Sequence, residues 1–457
     1  MSRSIFSGFC TLFFASILAV GMVAGTMCPV AFAQKNKEEA ILPPPQYQIF
    51  DIGVVLMADT ASQGFGVSNG GTVIGRSIRT GGAQAFTWTQ SGGISGLPNI
   101  ANRAFCVSSG SNDSGIVVGT CAASLFGTSR LPIVWTSGSV SQLPLPAGET
   151  LGDANDVNSS GVAVGSVNGG SLQRGVVYSG GSATVITQTT SNGSFFITAF
   201  GVNDSGRVVG QGIDPTNAAR NVGIVYDIGN ASAFEVGSLA GLNGALAFGV
   251  SNAGHVVGST MLNQGSGTPF IWTQAGGMIA IPFPMGTSQG SARAVNSAGW
   301  AVGTASSAFA IPFLFDGTNT YRLADLIPPG TGWDLSTNTS SSALGISDGN
   351  LIVGTGVFNG AVHAYAMVPV VNVSVGGRVW TSSGHPIRNA IISISGGDLP
   401  AGVKSQTGSF GWYTFSGLQS GQIYMLTVSA GRNTFAQPSR MITPQADVTD
   451  FDFVAEQ

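Results

Sequence analysis

The chain has 457 residues and a formal net charge of −4; 43% of its residues are hydrophobic and only 8% are charged. This composition excludes an intrinsically disordered chain, because disordered segments lack the apolar side chains that a packed core requires. It also excludes a duplex nucleic-acid binder, which needs clustered cations to displace counterions, since the only lysines are Lys35, Lys37 and Lys404.

Residues 1–33 have the pattern of a signal peptide. Arg3 provides the positive start, an apolar run extends over 5–23, and residues 31–33 form a cleavage site of the Ala-x-Ala type. A membrane anchor is the alternative, but the polar residues that follow favour cleavage. No later stretch approaches the roughly 20 apolar residues of a transmembrane helix. We therefore expect a linker over 34–45 and a secreted or cell-surface protein, with the periplasm as the alternative location.

Seven copies of one short pattern follow. Each copy has an apolar residue, a polar turn that ends near glycine, and an apolar run closed by glycine. The copies lie at 67–75, 112–119, 157–165, 202–210, 250–258, 295–303 and 346–354, and their closing glycines are 44, 46, 45, 48, 45 and 51 residues apart. Asn, Asp and Ser in the turn can cap their own backbone, and the glycine tolerates a positive φ, so each copy predicts a β-hairpin.

Two further strand patterns follow each hairpin. The third strand ends in a large apolar residue, usually aromatic as at Trp88, Trp135 and Tyr226, and a Gly-containing turn leads into a short fourth strand. Four strands in about 45 residues are the unit of a β-propeller blade, so we predict an all-β, seven-bladed β-propeller over 46–369. The aromatic residues should then pack between blades. A β-solenoid is the alternative, but its coils usually repeat faster.

The seventh copy lacks a clear fourth strand. Residues 47–52, which precede the first copy, resemble such a strand. We expect them to pair with the last blade, because this pairing would close the ring and cover the exposed strand edges. In the alternative arrangement, residues 368–373 supply that strand locally.

The copies resemble the HAF-type extracellular repeats, which are named for a His-Ala-Phe triplet near the third strand. Residues 363–365 read His-Ala-Tyr in the seventh copy, and residues 84–86 read Gln-Ala-Phe in the first. The other five copies depart at the His, so the resemblance rests mainly on the Val-Asn-x-x-Gly-x-Val-Gly core of the pattern. It covers residues 46–369 and implies no activity that can be transferred.

The pattern changes over 372–457. Short alternating strand patterns separated by Gly turns, such as 375–380, 411–415 and 421–428, predict a small β-sandwich. This segment is similar to the carboxypeptidase regulatory-like, transthyretin-type domains of secreted bacterial proteins. The resemblance implies an accessory module without catalytic residues. The turn at 407–413 departs from these domains, because it lacks their usual Asp.

Cys106 and Cys121 are the two cysteines that remain after cleavage, and a cysteine pair in an exported chain is a disulfide candidate. If the tight turn is 112–115, the two residues face each other across the hairpin within disulfide range. If the extra residues of the second copy widen the loop instead, Cys106 opposes Val117 and the two cysteines are too far apart.

No catalytic or metal-binding set stands out. The three histidines, His255, His363 and His385, are far apart in the sequence. Glu149 and Glu235 are the only glutamates in the repeats, so the carboxylate pair of a retaining glycosidase is not evident. Aspartates in the turns are explained by backbone capping. We therefore expect no catalytic residue, no metal and no cofactor.

Four arginines occupy the loop between the second and third strands of copies one to four. They are Arg79, Arg130, Arg174 and Arg220. Equivalent loops of a propeller lie on one face, here named the 2–3 loop face, and guanidinium groups suit carboxylate or sulfate ligands. The alternative is that they are ordinary solvated side chains. Because variable loops on a rigid scaffold usually carry binding, we predict any ligand site on this face.

The predicted function is a binding or scaffold module for a glycan or protein ligand, without catalysis. The first alternative is a propeller-based polysaccharide hydrolase or lyase. A structural passenger domain without a specific ligand is the second.

Overall fold

The computed structural model describes residues 44–124, 129–170, 172–262, 267–397, 399 and 403–456. The predicted signal peptide and nearly all of the predicted linker lie outside these residues. In the described part of the chain, no helix is long and apolar enough to cross a membrane.

Short β-strands dominate the described chain, and they are grouped below into seven units. The leading strand is β1 (Tyr47–Asp51). Unit 1 contains β2 (Ala61–Val67), β3 (Val73–Arg79), β4 (Gly82–Thr89) and β5 (Gly93–Gly96). Unit 2 contains β6 (Phe105–Ser111), β7 (Val117–Ala122), β8 (Leu131–Thr136) and β9 (Ser139–Gln142). Unit 3 contains β10 (Leu151–Val157), β11 (Ala163–Asn168), β12 (Arg174–Ser179) and β13 (Ser182–Val185).

The later units follow the same order. Unit 4 contains β14 (Phe195–Val202), β15 (Arg207–Asp214), β16 (Asn217–Asp227) and β17 (Ser232–Glu235). Unit 5 contains β18 (Gly244–Val250), β19 (Val256–Met261), β20 (Thr268–Thr273) and β21 (Gly277–Ala280). Unit 6 contains β22 (Gln289–Val295), β23 (Ala301–Ser306), β24 (Ala310–Phe315) and β25 (Thr320–Arg322). A 3-10 turn (Leu323–Leu326) and β26 (Trp333–Asp334) lead to unit 7, with β27 (Ser342–Ile346), β28 (Ile352–Phe358) and β29 (Ala361–Pro369).

Strands within a unit pair antiparallel in chain order. Units 3 to 6 each form a separate four-stranded sheet, and units 1 and 2 are joined into one sheet by a single parallel pair, Ala83 with Phe105. The turn between the first two strands ends in the left-handed region, as the repeated glycine predicts: Gly206 has a φ of 80°. Unit 7 uses Asn350 at this position with a φ of 62°, because Asn also tolerates that conformation.

The start of the chain completes unit 7. Strand β1 pairs antiparallel with β29, from Tyr47 opposite Pro369 to Asp51 opposite Tyr365. His363 Nδ1 lies 2.8 Å from Asp51 Oδ1 across this pair. The predicted pairing of the leading segment with the last unit is therefore confirmed, and the local alternative is excluded because β29 already pairs with β1.

Apolar cores lie between successive units rather than within one. Val164 of unit 3 packs in one cluster with Phe196 and Ile224 of unit 4, and the other neighbouring pairs share equivalent clusters. The series returns to its start, because Phe86 of unit 1 packs with Val353 of unit 7. These shared cores define an all-β, propeller-type ring, as predicted.

The C-terminal strands form two further sheets around a separate core. Their bounds are β30 (Asn372–Thr381), β31 (Ile391–Gly396), β32 (Val403–Gln406), β33 (Trp412–Gln419), β34 (Tyr424–Ser429), β35 (Ser439–Ile442) and β36 (Phe453–Ala455). One sheet has the order β33-β30-β36 and the other β32-β31-β34-β35. Ile392, Tyr413 and Leu426 are buried between them.

The two cysteines are bonded. Cys106 on β6 lies directly opposite Cys121 on β7, and their Cα atoms are 4.1 Å apart. The symmetric register predicted for this hairpin is confirmed, and the shifted alternative, with Cys106 opposite Val117, is wrong. Closer to the turn, the register shifts by one residue between Ser108 and Gly110, and Ser109 is left without a partner residue on β7.

Candidate functional site

The first strand of every unit carries a β-bulge at the same place. In each unit the register shifts by one residue opposite the closing glycine of the repeat. The seven extra residues all line one axial cavity of about 260 Å³; they are Phe65, Ser109, Asn155, Phe200, Phe248, Arg293 and Leu344. A bulge breaks the in–out alternation of a strand, which re-aims one side chain. Each unit therefore contributes one re-aimed side chain to the axial cavity.

The closing glycines make room for these bulges. A Cβ atom on Gly210 would lie 2.0 Å from the Thr198 carbonyl oxygen, and one on Gly119 would lie 2.0 Å from the Val107 oxygen. The equivalent glycines of the other units face the same obstruction. The repeated glycine is required by close backbone approach beside the axis.

At the hairpin-turn end of the axis, the repeated Asn links one unit to the next. Asn158 Nδ2 donates to the Asn203 carbonyl oxygen at 3.1 Å, and Asn203 Nδ2 donates to the Ser251 oxygen at 2.9 Å. Asn112 and Asn296 make the same contact with the following unit. Each Asn Oδ1 also accepts N–H groups of its own turn. The Asn of the pattern therefore serves the ring as well as the hairpin.

The same end of the axis is acidic. Asp204 Oδ1 accepts the Ser159 N–H at 2.8 Å, and Asp348 Oδ1 accepts the Ser297 N–H at 2.8 Å. Asp113 holds Gly70 in the same way. All three aspartates line a cavity of about 170 Å³ at this end. Hydrogen bonding to backbone N–H groups explains these carboxylates, as expected from the turn pattern, but the N–H groups belong to the preceding unit.

The opposite end of the axis adjoins a larger cleft of about 400 Å³. Ser109, Asn155 and Phe200 line both the cleft and the axial cavity, so the two spaces are adjacent. Arg76 and Arg130 also line the cleft. Because Arg130 immediately precedes β8, the cleft opens on the 2–3 loop face of units 1 to 4.

The four predicted arginines do not form an array of free cations. Each pairs with a carboxylate: Arg79 with Asp59 at 3.1 Å, Arg130 with Asp153 at 3.0 Å, Arg174 with Glu149, and Arg220 with both Asp214 and Glu235 at 2.8 and 2.7 Å. The arginine side chains are 24–52% exposed, whereas the Asp59 and Glu149 side chains are only 0% and 3% exposed. Replacing Arg79 or Arg174 would leave a buried carboxylate unpaired, so these two positions contribute to stability. Of the four, Arg130 alone lines one of the three cavities.

Two arginines that the sequence did not single out have no carboxylate partner among the described residues. Arg293 lies over the Phe248 ring, with 4.0 Å between its guanidinium carbon and the ring centroid. Arg76 Nε donates to Gln63 Oε1 at 2.8 Å, and its guanidinium lies 5.7 Å from the Phe65 centroid. Desolvation lowers the pKa of both guanidinium groups. An alignment of the seven copies shows Arg293 as the one cation at a position where the others have Phe, Ser, Asn or Leu, but it does not show that this position is bulged.

Asp156 occupies a position where most copies have glycine, between units 3 and 4. Burial raises the pKa of its carboxyl to about 6, although N–H donors of Val202 and Val157 oppose the shift. The folded protein therefore binds this proton more tightly than the unfolded chain, whose Asp titrates near pH 4. The contribution of this group to stability is complete below about pH 4 and is lost as the pH rises through 6.

We expect Asp156→Asn to remove this pH dependence. Between pH 4 and pH 7 the wild type should lose about 1–3 kcal/mol of unfolding free energy relative to the variant. Urea denaturation of both proteins at pH 4, 5, 6 and 7 measures the difference in unfolding free energy between them at each pH. Titration of the other acids affects both proteins alike and so cancels in this difference. Parallel curves for the two proteins would show that Asp156 titrates normally.

The described residues contain no cluster of three or more His, Cys, Asp or Glu side chains that could hold a metal ion. His255 contacts Ser251, His363 contacts Asp51, and His385 contacts Ser383. The three histidines thus lie in three separate local contacts.

The strand units and their shared cores define this chain as an all-β protein of propeller type. No family model and no curated protein matches the sequence. Similar solved structures include a streptogramin B lyase (TM-score 0.43, 11% identity, 70% of this chain and 98% of that one). Another is an oligogalacturonate lyase in complex with manganese, with a TM-score of 0.44 and 11% identity over 72% of this chain and 97% of that one. A third is YCF48 bound to D1 peptide, with a TM-score of 0.42 and 12% identity over 72% of this chain and 98% of that one.

Proposed function

We propose that the protein is an exported, non-catalytic binding module that holds an acidic glycan or protein ligand on its 2–3 loop face. The observation that carries this proposal is the cleft of about 400 Å³ and the adjoining axial cavity, which together contain two guanidinium groups without carboxylate partners. Unpaired guanidinium groups beside aromatic rings are a fitting environment for carboxylate or sulfate groups.

The distribution of charge along the axis supports this choice of face. Asp113, Asp204 and Asp348 line the hairpin-turn end, whereas the cleft is lined by Arg76 and Arg130 and by one carboxylate, Asp153, which pairs with Arg130. An anionic ligand is therefore repelled at one end and attracted at the other. Such complementarity favours approach from a single side and makes association sensitive to salt.

The disulfide of unit 2 agrees with export. Cytosolic thiols are kept reduced, while disulfides persist in secreted and periplasmic proteins. The predicted signal peptide, the bonded Cys106–Cys121 pair and the predicted accessory sandwich over 372–457 are all consistent with a protein that acts outside the cytoplasm.

A binding assay with two matched double variants tests the proposal. The site variant is Arg76→Gln with Arg130→Gln; the control is Arg388→Gln with Arg432→Gln, which removes the same charge from two exposed positions of the C-terminal segment. The probes are oligosaccharides of hexuronic acid, sulfated oligosaccharides and a poly-glutamate peptide, each at low and moderate salt. The same incubations are analysed for shortened or unsaturated products.

We expect the site variant to bind at least one anionic probe at least tenfold more weakly than the control variant does, with the larger effect at low salt. Equal affinities for the two double variants would place binding elsewhere. Product formation by the wild type would favour the alternative of a polysaccharide hydrolase or lyase.

A further inference from the structure

We propose that Arg293, Phe248 and Phe200 form a carboxylate-binding subsite in the axial cavity, which takes the terminal hexuronic acid residue of an acidic glycan inserted end-on from the cleft. This inference rests on the proposed function, because it names the ligand class and the residue that recognises its charge.

Arg293 is positioned for a ligand and not for the fold. It is the bulge residue of β22, it lines the axial cavity, and it is exposed to that cavity. No described carboxylate lies within ion-pair distance of its guanidinium, although the four arginines near the 2–3 loops all have such partners. A guanidinium held at the wall of a cavity with free donors has the fork geometry that binds a carboxylate through two parallel hydrogen bonds.

The neighbouring rings fix the plane of this guanidinium. Arg293 lies 4.0 Å from the centroid of Phe248, and Phe248 lies 5.4 Å from the centroid of Phe200. Stacking on Phe248 restricts the long side chain before any ligand arrives, so less rotational freedom is lost on binding. The arrangement is therefore preorganised for an anion.

The rest of the cavity wall suits a sugar ring. Phe65, Phe200 and Phe248 offer apolar faces, while Ser109 and Asn155 offer polar groups on the intervening units. Asn155 donates its amide N–H to the Ala199 carbonyl oxygen at 2.8 Å, which leaves the amide oxygen as an acceptor. A pyranose has apolar C–H faces and a polar rim of hydroxyl groups, so it can contact rings on one part of the wall and polar side chains on another.

The size of the cavity and its far end limit how much of a glycan enters. The axial cavity of about 260 Å³ lies below the usual range of roughly 300–1,000 Å³ for ligand pockets. Asp156 lines the axial cavity on the side of units 3 and 4, and Asp113, Asp204 and Asp348 line the hairpin-turn end beyond it. These carboxylates repel an anion and favour its carboxylate at Arg293. One terminal residue can therefore occupy the axial cavity while the following residues lie in the cleft beside Arg76 and Arg130.

Titration calorimetry on the full chain tests the subsite. The probes are a hexuronic acid trimer and the same trimer with its carboxyl groups reduced to primary alcohols. The variants are Arg293→Gln, Arg293→Lys and the distant control Arg388→Gln, each checked for an unchanged melting temperature. Arg293→Lys keeps the charge but loses the two-pronged hydrogen bonding.

For the acidic trimer we expect Arg293→Gln to weaken binding at least tenfold, Arg293→Lys to weaken it by less, and Arg388→Gln to leave it unchanged. The reduced trimer should bind all four proteins equally and more weakly than the wild type binds the acidic trimer. Unchanged affinity in Arg293→Gln, with loss in Arg76→Gln and Arg130→Gln, would overturn the subsite and leave the proposed function standing.

Two further outcomes would overturn the assignment of the subsite to a hexuronic acid residue. One is Arg293-dependent binding of a peptide with a free C-terminal carboxylate, lost on amidation, without binding of the trimer; the subsite would then serve a protein ligand, as the proposed function allows. The other is a wild type that binds no anionic probe of either assay, which would overturn both proposals.

Discussion

Deletion of residues 46–53 should lower the melting temperature by at least about 10 °C, because it removes the strand that completes unit 7. Strand β1 contributes a ladder of five paired residues against β29. It also brings Tyr47 and Ile52, which are 1% and 4% exposed, into two separate inter-unit cores. Burial of two large side chains and several net hydrogen bonds stabilises by roughly 5–10 kcal/mol, and each kcal/mol shifts the melting temperature of a large domain by about 2–4 °C.

Two controls make this result specific to ring closure. Deletion of residues 36–43, which have the same length and lie in the predicted linker, should leave the melting temperature unchanged. A synthetic peptide of residues 44–54 added to the shortened protein should restore most of the lost stability, and a scrambled peptide should not. An unchanged melting temperature after deletion of 46–53 would show that the ring does not depend on its first strand.

Gly210→Ala should destabilise the protein by about 3 kcal/mol or more, although the substitution adds a single methyl group. The new Cβ would lie 2.0 Å from the Thr198 carbonyl oxygen, and backbone on both strands must move to relieve this contact. The displacement would affect the bulge at Phe200, beside the axial cavity. Chemical denaturation and the melting temperature, which should fall by about 6–12 °C, measure the effect.

Gly170→Ala provides the matched control. A Cβ atom at Gly170 meets no atom within 4 Å, and its φ lies outside the left-handed region, so alanine should be tolerated there with little change. The effect of alanine on the unfolded chain is stabilising, by about 0.4–1 kcal/mol, so a loss at Gly170 equal to that of Gly210→Ala would show that the loss does not come from the contact at the bulge. A stable Gly210→Ala protein would mean that the strands can separate at the bulge without penalty.

Much of the fold could be predicted from the sequence because its determinants are local and repeated. The Asn-x-x-Gly turn predicts a hairpin from the conformations of a few neighbouring residues. A strand assignment that is uncertain in one copy is supported by the same pattern in the other six. Trp135, Trp272 and Phe315 recur near the end of the third strand and are buried in cores shared by neighbouring units, as their repetition indicated. The Cys106–Cys121 register followed from symmetry about one turn, and β1 was recognisable because the seventh copy lacked a partner strand.

The site was not predictable in the same way. A single bulged residue in each first strand decides which side chain meets the axis, and the repeat pattern does not mark where a register shift falls. Glu149 and Arg174 are 25 residues apart, and the Asn contacts join residues of different units that are about 45 residues apart in the chain. The Asn contacts depend on how the units are placed around the ring, whereas Glu149 meets Arg174 only when the strands of unit 3 pack together. The sequence pattern shows neither arrangement, so the arginines were recognised without their partners.

The amino-acid sequence by itself determined the β-hairpins, the four-strand repeat and the residues that fill the cores, since these depend on local turn geometry and on apolar periodicity. Only the tertiary structure decided which charges remain free. Folding within a unit brings carboxylates against Arg79, Arg174 and Arg220, and packing of unit 3 on unit 2 brings Asp153 against Arg130. Closing the ring gathers Arg293, Phe248 and Phe200 at the axis. Neutralisation and exposure of a charge depend on distance in space, which the order of residues along one chain does not supply.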